Sequence, residues 1–203
     1  MNADNVNYYK EMEAVIASLE GRRPRLLLHS CCGPCTSAVL ETVTRYFDTA
    51  LYYYNPNILP AAEYDKRLYW LRRLLEQAPF AQGVELIVPH RDEEAFWAAA
   101  RGLEGEPEGG ARCTECFELR LGATARAAGE GGFEYFCTTL TVSPHKNAPL
   151  INAIGARLGE ETGVKWLPSD FKKRDGYRRS IQLSAEYGLY RQAWCGCGLG
   201  PGA

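Results

Sequence analysis

The sequence predicts an α/β protein: a parallel five-stranded sheet flanked by helices, with a cysteine-bearing C-terminal extension. Two observations carry that reading. Short apolar runs of strand length alternate along the chain with longer segments of helical periodicity, the pattern of parallel strands joined by right-handed crossovers. The last apolar run ends at Leu167, after which the composition shifts to charge and tyrosine and finally to glycine.

Asn7 to Leu19 places apolar residues at helical spacing and stops at Gly21, which predicts an opening helix. Arg25 to His29 is a buried-strand run, and Thr36 to Tyr46 resumes helical spacing. Ala50 to Tyr54 is the second strand, stopped by Asn55-Pro56-Asn57, and Glu63 to Gln77 is a helix. Val84 to Val88 predicts strand three, and Asp92 to Arg101 a helix with Asp92 as N-cap. Gly102 to Gly110 holds four glycines, one proline and three glutamates, and reads as a mobile surface loop. A helix from about Cys113 to Ala128 leads to a strand at Tyr135 to Leu140. A helix at Ala148 to Glu161 and a strand at Val164 to Leu167 complete the pattern. One domain is expected over 1–203, with its core at about 24–168 and a helical basic region plus Cys-x-Cys tail at about 169–203.

The 46% hydrophobic and 24% charged content is that of an ordinary globular chain. A formal charge of −2 excludes a broadly basic nucleic-acid coat but leaves room for a local basic patch. Arginine supplies most of the positive charge, which favours planar contacts to phosphate or carboxylate. Met1 to Asn5 carries no apolar signal core, and no run approaches the roughly 18 apolar residues of a membrane span. The chain is therefore expected in the reducing cytoplasm, away from membranes, where structural disulfides are rare.

Most of the eight cysteines fall in three groups: Cys31-Cys32-Gly33-Pro34-Cys35, Cys113-Thr114-Glu115-Cys116 and Cys195-Gly196-Cys197. Ligands of parallel sheets gather at the carboxyl ends of the strands. The first group follows strand one, the second opens the helix before strand four, and the loop Thr141 to Lys146 follows strand four. Three chemistries compete. Cys32-Gly33-Pro34-Cys35 between a strand and a helix resembles the motif of thioredoxin-like thiol-disulfide oxidoreductases, where a helix N-terminus stabilises a thiolate. Cys31 stands where those proteins usually carry tryptophan. Paired knuckles Cys32/Cys35 and Cys113/Cys116 could hold structural zinc in an RNA-binding module, across an unusually long separation. An iron–sulfur cluster would take four thiolates, met by Cys31 and Cys32 with Cys113 and Cys116. That leaves Cys35 with Cys195 and Cys197 as a second thiol set. A disulfide across Cys195-Gly196-Cys197 closes a small strained ring, labile as a redox carrier must be. Cys137, inside an apolar strand, reads as a buried core residue.

Several segments together resemble the epoxyqueuosine reductase family QueH over roughly residues 25 to 198. They are Leu27-Leu-His-Ser-Cys-Cys-Gly-Pro-Cys35, Tyr53-Tyr-Asn-Pro-Asn-Ile58, Glu63-Tyr64 with Lys66-Arg67, and Arg112-Cys-x-x-Cys-Phe-x-x-Arg-Leu121. Leu140-Thr-Val-Ser-Pro-His-Lys-Asn147 and Cys195-Gly-Cys197 complete the set. The resemblance implies the last step of queuosine synthesis. The epoxide of epoxyqueuosine at the tRNA wobble position is reduced to the cyclopentene of queuosine, without cobalamin, and the oxygen leaves as water. It further implies a HUP-like, Rossmann-like sheet and a [4Fe–4S] cluster on Cys31, Cys32, Cys113 and Cys116. The redox-active pair maps onto Cys195 and Cys197. Cys35, at a position where the family also holds aspartate, could join Cys195 and Cys197 around a second, mononuclear iron acting as a Lewis acid. The implied partners are the tRNA anticodon loop and an electron donor that the sequence does not identify.

Removing an epoxide oxygen takes two electrons and two protons. A cluster delivers electrons singly, and a dithiol delivers two while closing to a disulfide. His145 and Lys146 are the expected proton donors or phosphate contacts. RNA loops are read by aromatic stacking with Arg and Lys on the phosphates. Lys172, Lys173, Arg174, Arg178, Arg179 and Arg191, interleaved with Phe171, Tyr177, Tyr187 and Tyr190, are the expected tRNA contacts. Asn55, Asn57, Tyr64 and Arg67 are expected to shape a pocket after strand two.

Overall fold

The computed structural model describes residues 6–199; the start read above as lacking a signal core (1–5) and the last tail residues (200–203) lie outside the described residues. Leu26, Leu27 and Leu28 are wholly buried, and side-chain alternation sends Leu26 and Leu28 to one face of the sheet and Leu27 to the other. A central parallel strand is covered on both faces, which is why β1 (Arg25–His29) reads as an unbroken apolar run. It pairs in parallel with β2 (Asp48–Tyr52) through Leu27↔Ala50 and with β4 (Tyr135–Thr138) through Leu27↔Phe136. With β3 (Glu85–Ile87) and β5 (Lys165–Trp166) at the edges, the order is β3-β2-β1-β4-β5, all parallel.

Met12 of α1 (Tyr8–Ser18), Val39 and Leu40 of α2 (Gly33–Val43) and Leu71 and Leu74 of α3 (Ala61–Gln77) join Leu26 and Leu28 in one core. α7 (Gly176–Glu186) packs on α2 from outside. On the opposite face Leu27 meets Phe117 and Leu121 of α5 (Ala111–Glu130) and Ile151 and Ile154 of α6 (Ala148–Thr162). α4 (Glu93–Ala100) packs on α5, and its Phe96 forms a small cluster with Cys116 and Cys197. Among the described residues, no helix is long and apolar enough to cross a membrane.

The chain steps outward from β1 to β2 and β3, then returns to lay β4 and β5 on the other side. The loops leaving β1 and β4 therefore diverge, and a crevice opens between their carboxyl ends. Several element boundaries differ from expectation for local reasons. Strand four stops at Thr138 because the Thr138 hydroxyl accepts from the Leu140 amide at 3.2 Å and turns the chain into a 3₁₀ turn. The second helix begins at Gly33 rather than Thr36, so Cys35 lies inside its first turn; Cys32 is the N-cap, its sulfur 3.5 Å from the Cys35 amide. Asp92 caps α4 as expected, accepting from the Ala95 amide at 3.0 Å. The glycine-rich stretch 102–110, expected to be mobile, is tied down. Arg112 donates to the carbonyls of Leu103, Glu104 and Glu106 at 3.2, 2.8 and 2.6 Å.

Gly155 of α6 lets the Trp166 ring pack against the helix backbone, since a Cβ there would lie 2.3 Å from the ring. Overpacking of that kind costs about 1–3 kcal/mol. Gly155→Ala should therefore lower the thermal midpoint by several degrees with the fold retained, as read by circular dichroism; an unchanged midpoint would show that this contact yields freely.

Candidate metal and thiol centre

The end of β1 is fastened before the first cysteine. His29 is wholly buried, with Nδ1 2.8 Å from the Thr138 hydroxyl and Nε2 3.2 Å from the Tyr54 carbonyl. Burial, aided by the Arg120 charge, pushes its pKa down to about 3, so the ring is neutral at physiological pH. A carbonyl can only accept, so Nε2 donates to Tyr54 and Nδ1 accepts from Thr138. The imidazole thus links β1, β4 and the loop after β2. The Cys31 amide then donates to the Thr139 hydroxyl at 3.4 Å, which carries the first cysteine across the crevice.

A cavity of about 480 Å³ opens at this point, and Cys31, Cys35, Cys113, Cys116, Cys195 and Cys197 all line it. Cys32 lies just behind, 1% exposed, its sulfur 3.8 Å from that of Cys31 and accepting from Gln192 Nε2 at 3.0 Å. The sulfurs of Cys31, Cys32 and Cys35 lie within 4.8 Å of one another, a triad that could hold a metal ion. Cys113 and Cys116 sit three apart near the start of α5 and so share a face of the helix. The Cys113 sulfur accepts from the Gly109 amide at 3.2 Å, and the Cys116 sulfur lies 3.9 Å from an Arg120 nitrogen. In the tail, the Cys195 and Cys197 sulfurs are 3.3 Å apart.

These thiols are electrostatically unequal. Cys31 is held well below the usual thiol range by the S–H groups of Cys32 and Cys35, with further help from Arg120. Cys32 is pushed up to about 12, first by Cys31, and Cys35 moves upward for the same reason. The triad therefore holds its first negative charge on Cys31. Cys195 is lowered to about 6, mainly by the hydrogen bond from Cys197 and further by the Lys146 charge; Cys197 is raised in return. Burial raises Cys116. Cys137 is a core residue as expected, wholly buried with its sulfur 3.4 Å from the Leu167 carbonyl, and burial pushes its thiol up to about 12.

Three buried arginines frame the cavity. Arg67 donates to the Cys195 carbonyl at 2.9 Å, and Arg112 to the Leu199 carbonyl at 3.0 Å. Arg120 donates to Asn55 Oδ1 at 2.7 Å, while the Asn55 amide nitrogen donates to the Ser30 carbonyl at 2.8 Å. Arg112, Cys116 and Arg120 recur at four-residue intervals on one face of α5, a spacing that sequence reading could have used. Gln192 and Glu108 offered no comparable signal.

His145 is exposed at the cavity rim. Lys146 lines the cavity with Nζ 2.8 Å from Glu108; although burial opposes its charge, Glu108 and the negative charge on Cys195 hold its pKa above the ordinary lysine value. Of the basic set, Arg191 lines the cavity, with its guanidinium 5.9 Å from the centre of the half-exposed Tyr177 ring. The rest do not converge there. Lys172 pairs with Asp170 at 2.6 Å and Arg174 with Glu13 at 3.1 Å, while Arg179 forks onto Glu41 at 2.8 and 2.6 Å. Lys173 and Arg178 are exposed. Asn57 lines the cavity as expected, with Oδ1 buried and unpartnered, whereas Tyr64 packs into the core beside Tyr53.

Comparison with known proteins gives a consistent result. The family model described as "Epoxyqueuosine reductase QueH" matches residues 26–200. A protein of Staphylococcus epidermidis named epoxyqueuosine reductase QueH is 44% identical, covering 97% of this chain and 85% of its own length. Proteins of the same name are 42% identical in Streptococcus pyogenes (95% of this chain, 77% of theirs) and 36% identical in Thermotoga maritima (85% and 88%).

The charge on Cys195 has a direct readout. In metal-free, reduced protein, iodoacetamide should alkylate Cys195 with a midpoint near pH 6 and leave Cys137 untouched, as mapped by mass spectrometry. A midpoint near the unperturbed thiol value of about 8.5 would contradict the contacts described here.

Proposed function

The chain belongs to the epoxyqueuosine reductase QueH family, and from that membership we propose that this oxidoreductase reduces epoxyqueuosine in tRNA to queuosine without cobalamin. The observation that carries the reading is the convergence of three sequence-distant cysteine groups on one cavity at the switch point of the sheet. The reaction belongs in the cytoplasm with its tRNA, and the chain acts as one domain.

The cavity suits a thiolate-bound cluster. Its donors are soft sulfurs, and the Arg112 and Arg120 guanidiniums beside them have no carboxylate partner among the described residues, so anionic thiolates are the natural counter-charge. Cys31, Cys32, Cys113 and Cys116 would hold a [4Fe–4S] cluster, and Cys35, Cys195 and Cys197 a second iron. When bound, the cluster supplies electrons one at a time and the second iron a Lewis acid.

The remaining steps belong to the chain's own residues. With Cys195 a thiolate, its oxidation with Cys197 to a disulfide releases two electrons and one proton; conversion of an epoxide to an alkene and water takes these and a second proton from outside the pair. Lys146, held protonated by Glu108, suits charge stabilisation at the reacting oxygen or a phosphate contact better than proton transfer. His145 stands at the rim as the proton donor. Tyr177 with Arg191 offers a stacking surface for an unpaired base, and the exposed Arg178 and Lys173 offer phosphate contacts.

The alternatives meet physical obstacles. A thioredoxin-like nucleophile must be an accessible, acidic first cysteine, but Cys32 is buried with its thiol pushed up to about 12. A zinc site pairing Cys32/Cys35 with Cys113/Cys116 would leave the tail thiols on the same cavity without a role.

Protein purified without oxygen should be brown and carry at least about four irons and four sulfides per chain. Colourless, iron-free protein would remove the cluster from this account. Cys195→Ser/Cys197→Ser with its cluster intact should lose single-turnover reduction; wild-type rates would discard the dithiol. Arg178→Glu should weaken tRNA binding several-fold and reduce the salt slope by about one, whereas unchanged affinity and slope would place the RNA elsewhere.

A further inference from the structure

We propose that Arg67, oriented by Glu63, is the positioning residue that sets the Cys195–Cys197 pair against the cavity, and that residue 196 is glycine because this guanidinium occupies the space a side chain would need. The proposal rests on the electron-donating role of the pair given above.

Arg67 lies on α3, far from the tail in sequence, and is only 3% exposed. Its Nε donates to Glu63 Oε1 at 2.7 Å, one helical turn back, which provides the buried charge with its counter-ion. The two terminal nitrogens then clamp successive tail carbonyls, Cys195 at 2.9 Å and Trp194 at 3.3 Å, with the Trp194 ring 5.3 Å from the guanidinium carbon. Gly196 has φ +107°, and a Cβ built there would lie 3.1 Å from both guanidinium nitrogens. Its carbonyl accepts from the Leu59 amide at 2.7 Å. Tyr190, whose hydroxyl lies 3.4 Å from both Glu63 oxygens, holds the carboxylate from the other side.

Three consecutive tail residues thus have their backbone fixed from outside, leaving side-chain rotation as the freedom that remains to the two sulfurs at 3.3 Å. An unanchored Cys-x-Cys would sample many arrangements and often leave the cavity. The fork is specific to arginine, because a lysine ammonium cannot bond a carboxylate and two carbonyls along fixed directions. The step served balances as follows: the S–S bond forms between Cys195 and Cys197, the thiolate–thiol pair gives up two electrons and its one proton, a second proton comes from solvent, and the epoxide becomes an alkene with its oxygen lost as water.

The test uses full-length protein purified anaerobically. Pairing of Cys195 with Cys197 is measured in dithiothreitol redox buffers by alkylation and mass spectrometry, alongside single-turnover reduction and tRNA affinity. Arg67→Ala, Arg67→Lys and Gly196→Ala should each lower the pairing constant about tenfold, equivalent to about 30 mV. Each should also slow turnover about tenfold or more, with visible absorption and tRNA affinity unchanged. Pairing and turnover at parental values in these variants would overturn the positioning role while leaving the dithiol reading intact. Parental turnover in Cys195→Ser would instead overturn that reading. If Arg67→Ala fails to fold, Arg67→Lys decides the matter, because it keeps a positive charge beside Glu63 and removes only the fork.

Discussion

A guanidinium taken out of water must find partners for its donors, and Arg67, Arg112 and Arg120 find theirs on segments remote in sequence. Arg67 reaches from α3 to the tail. Arg112 gathers the glycine-rich loop and the tail end around the start of α5, and Arg120 reaches Asn55 in the loop after β2. Glu63 answers Arg67, but Arg112 and Arg120 lie beside carbonyls, an amide and sulfur. The same groups that staple three irregular segments together therefore surround the thiols with positive charge. That favours thiolates, which are the form that binds metal and donates electrons.

The fold prepares for this by geometry rather than by chemistry. Reversal of strand order between β1 and β4 opens the crevice, and the neutral His29 ties the two strands just below it. Cys32 caps α2 while Cys31 faces the cavity, so two adjacent residues take opposite tasks. One closes the helix from behind the wall, and the other presents charge near the helix N-terminus. The α5 pair arrives from the other face of the sheet. The tail and the stretch 102–110, which have no regular structure, depend on side-chain clamps for their position.

Legibility in the sequence followed the range of the interactions. Strands and helices were readable because apolar period is local, and errors fell where a polar side chain bent the backbone, as Thr138 does at the end of β4. The loop at 102–110 looked free because its glycines and glutamates carry no sign of Arg112, whose three bonds to its carbonyls exist only once α5 has docked. The basic residues show the same limit. Composition marks Lys172, Arg174 and Arg179 as a cationic group, but Asp170, Glu13 and Glu41 engage them one by one, and Arg191 alone lies on the cavity wall.

Residue spacing alone determined the strand–helix alternation, the helical face shared by Cys113 and Cys116 and the glycine-bound tail thiols. Each of these is written within a few turns of chain. Tertiary structure decided which cysteines face one another, which thiol carries the charge, and which arginine holds which loop. Those outcomes depend on contacts between residues as far as 160 apart in sequence, as for Cys32 and Gln192, and on burial that exists only when both sides of the sheet are covered.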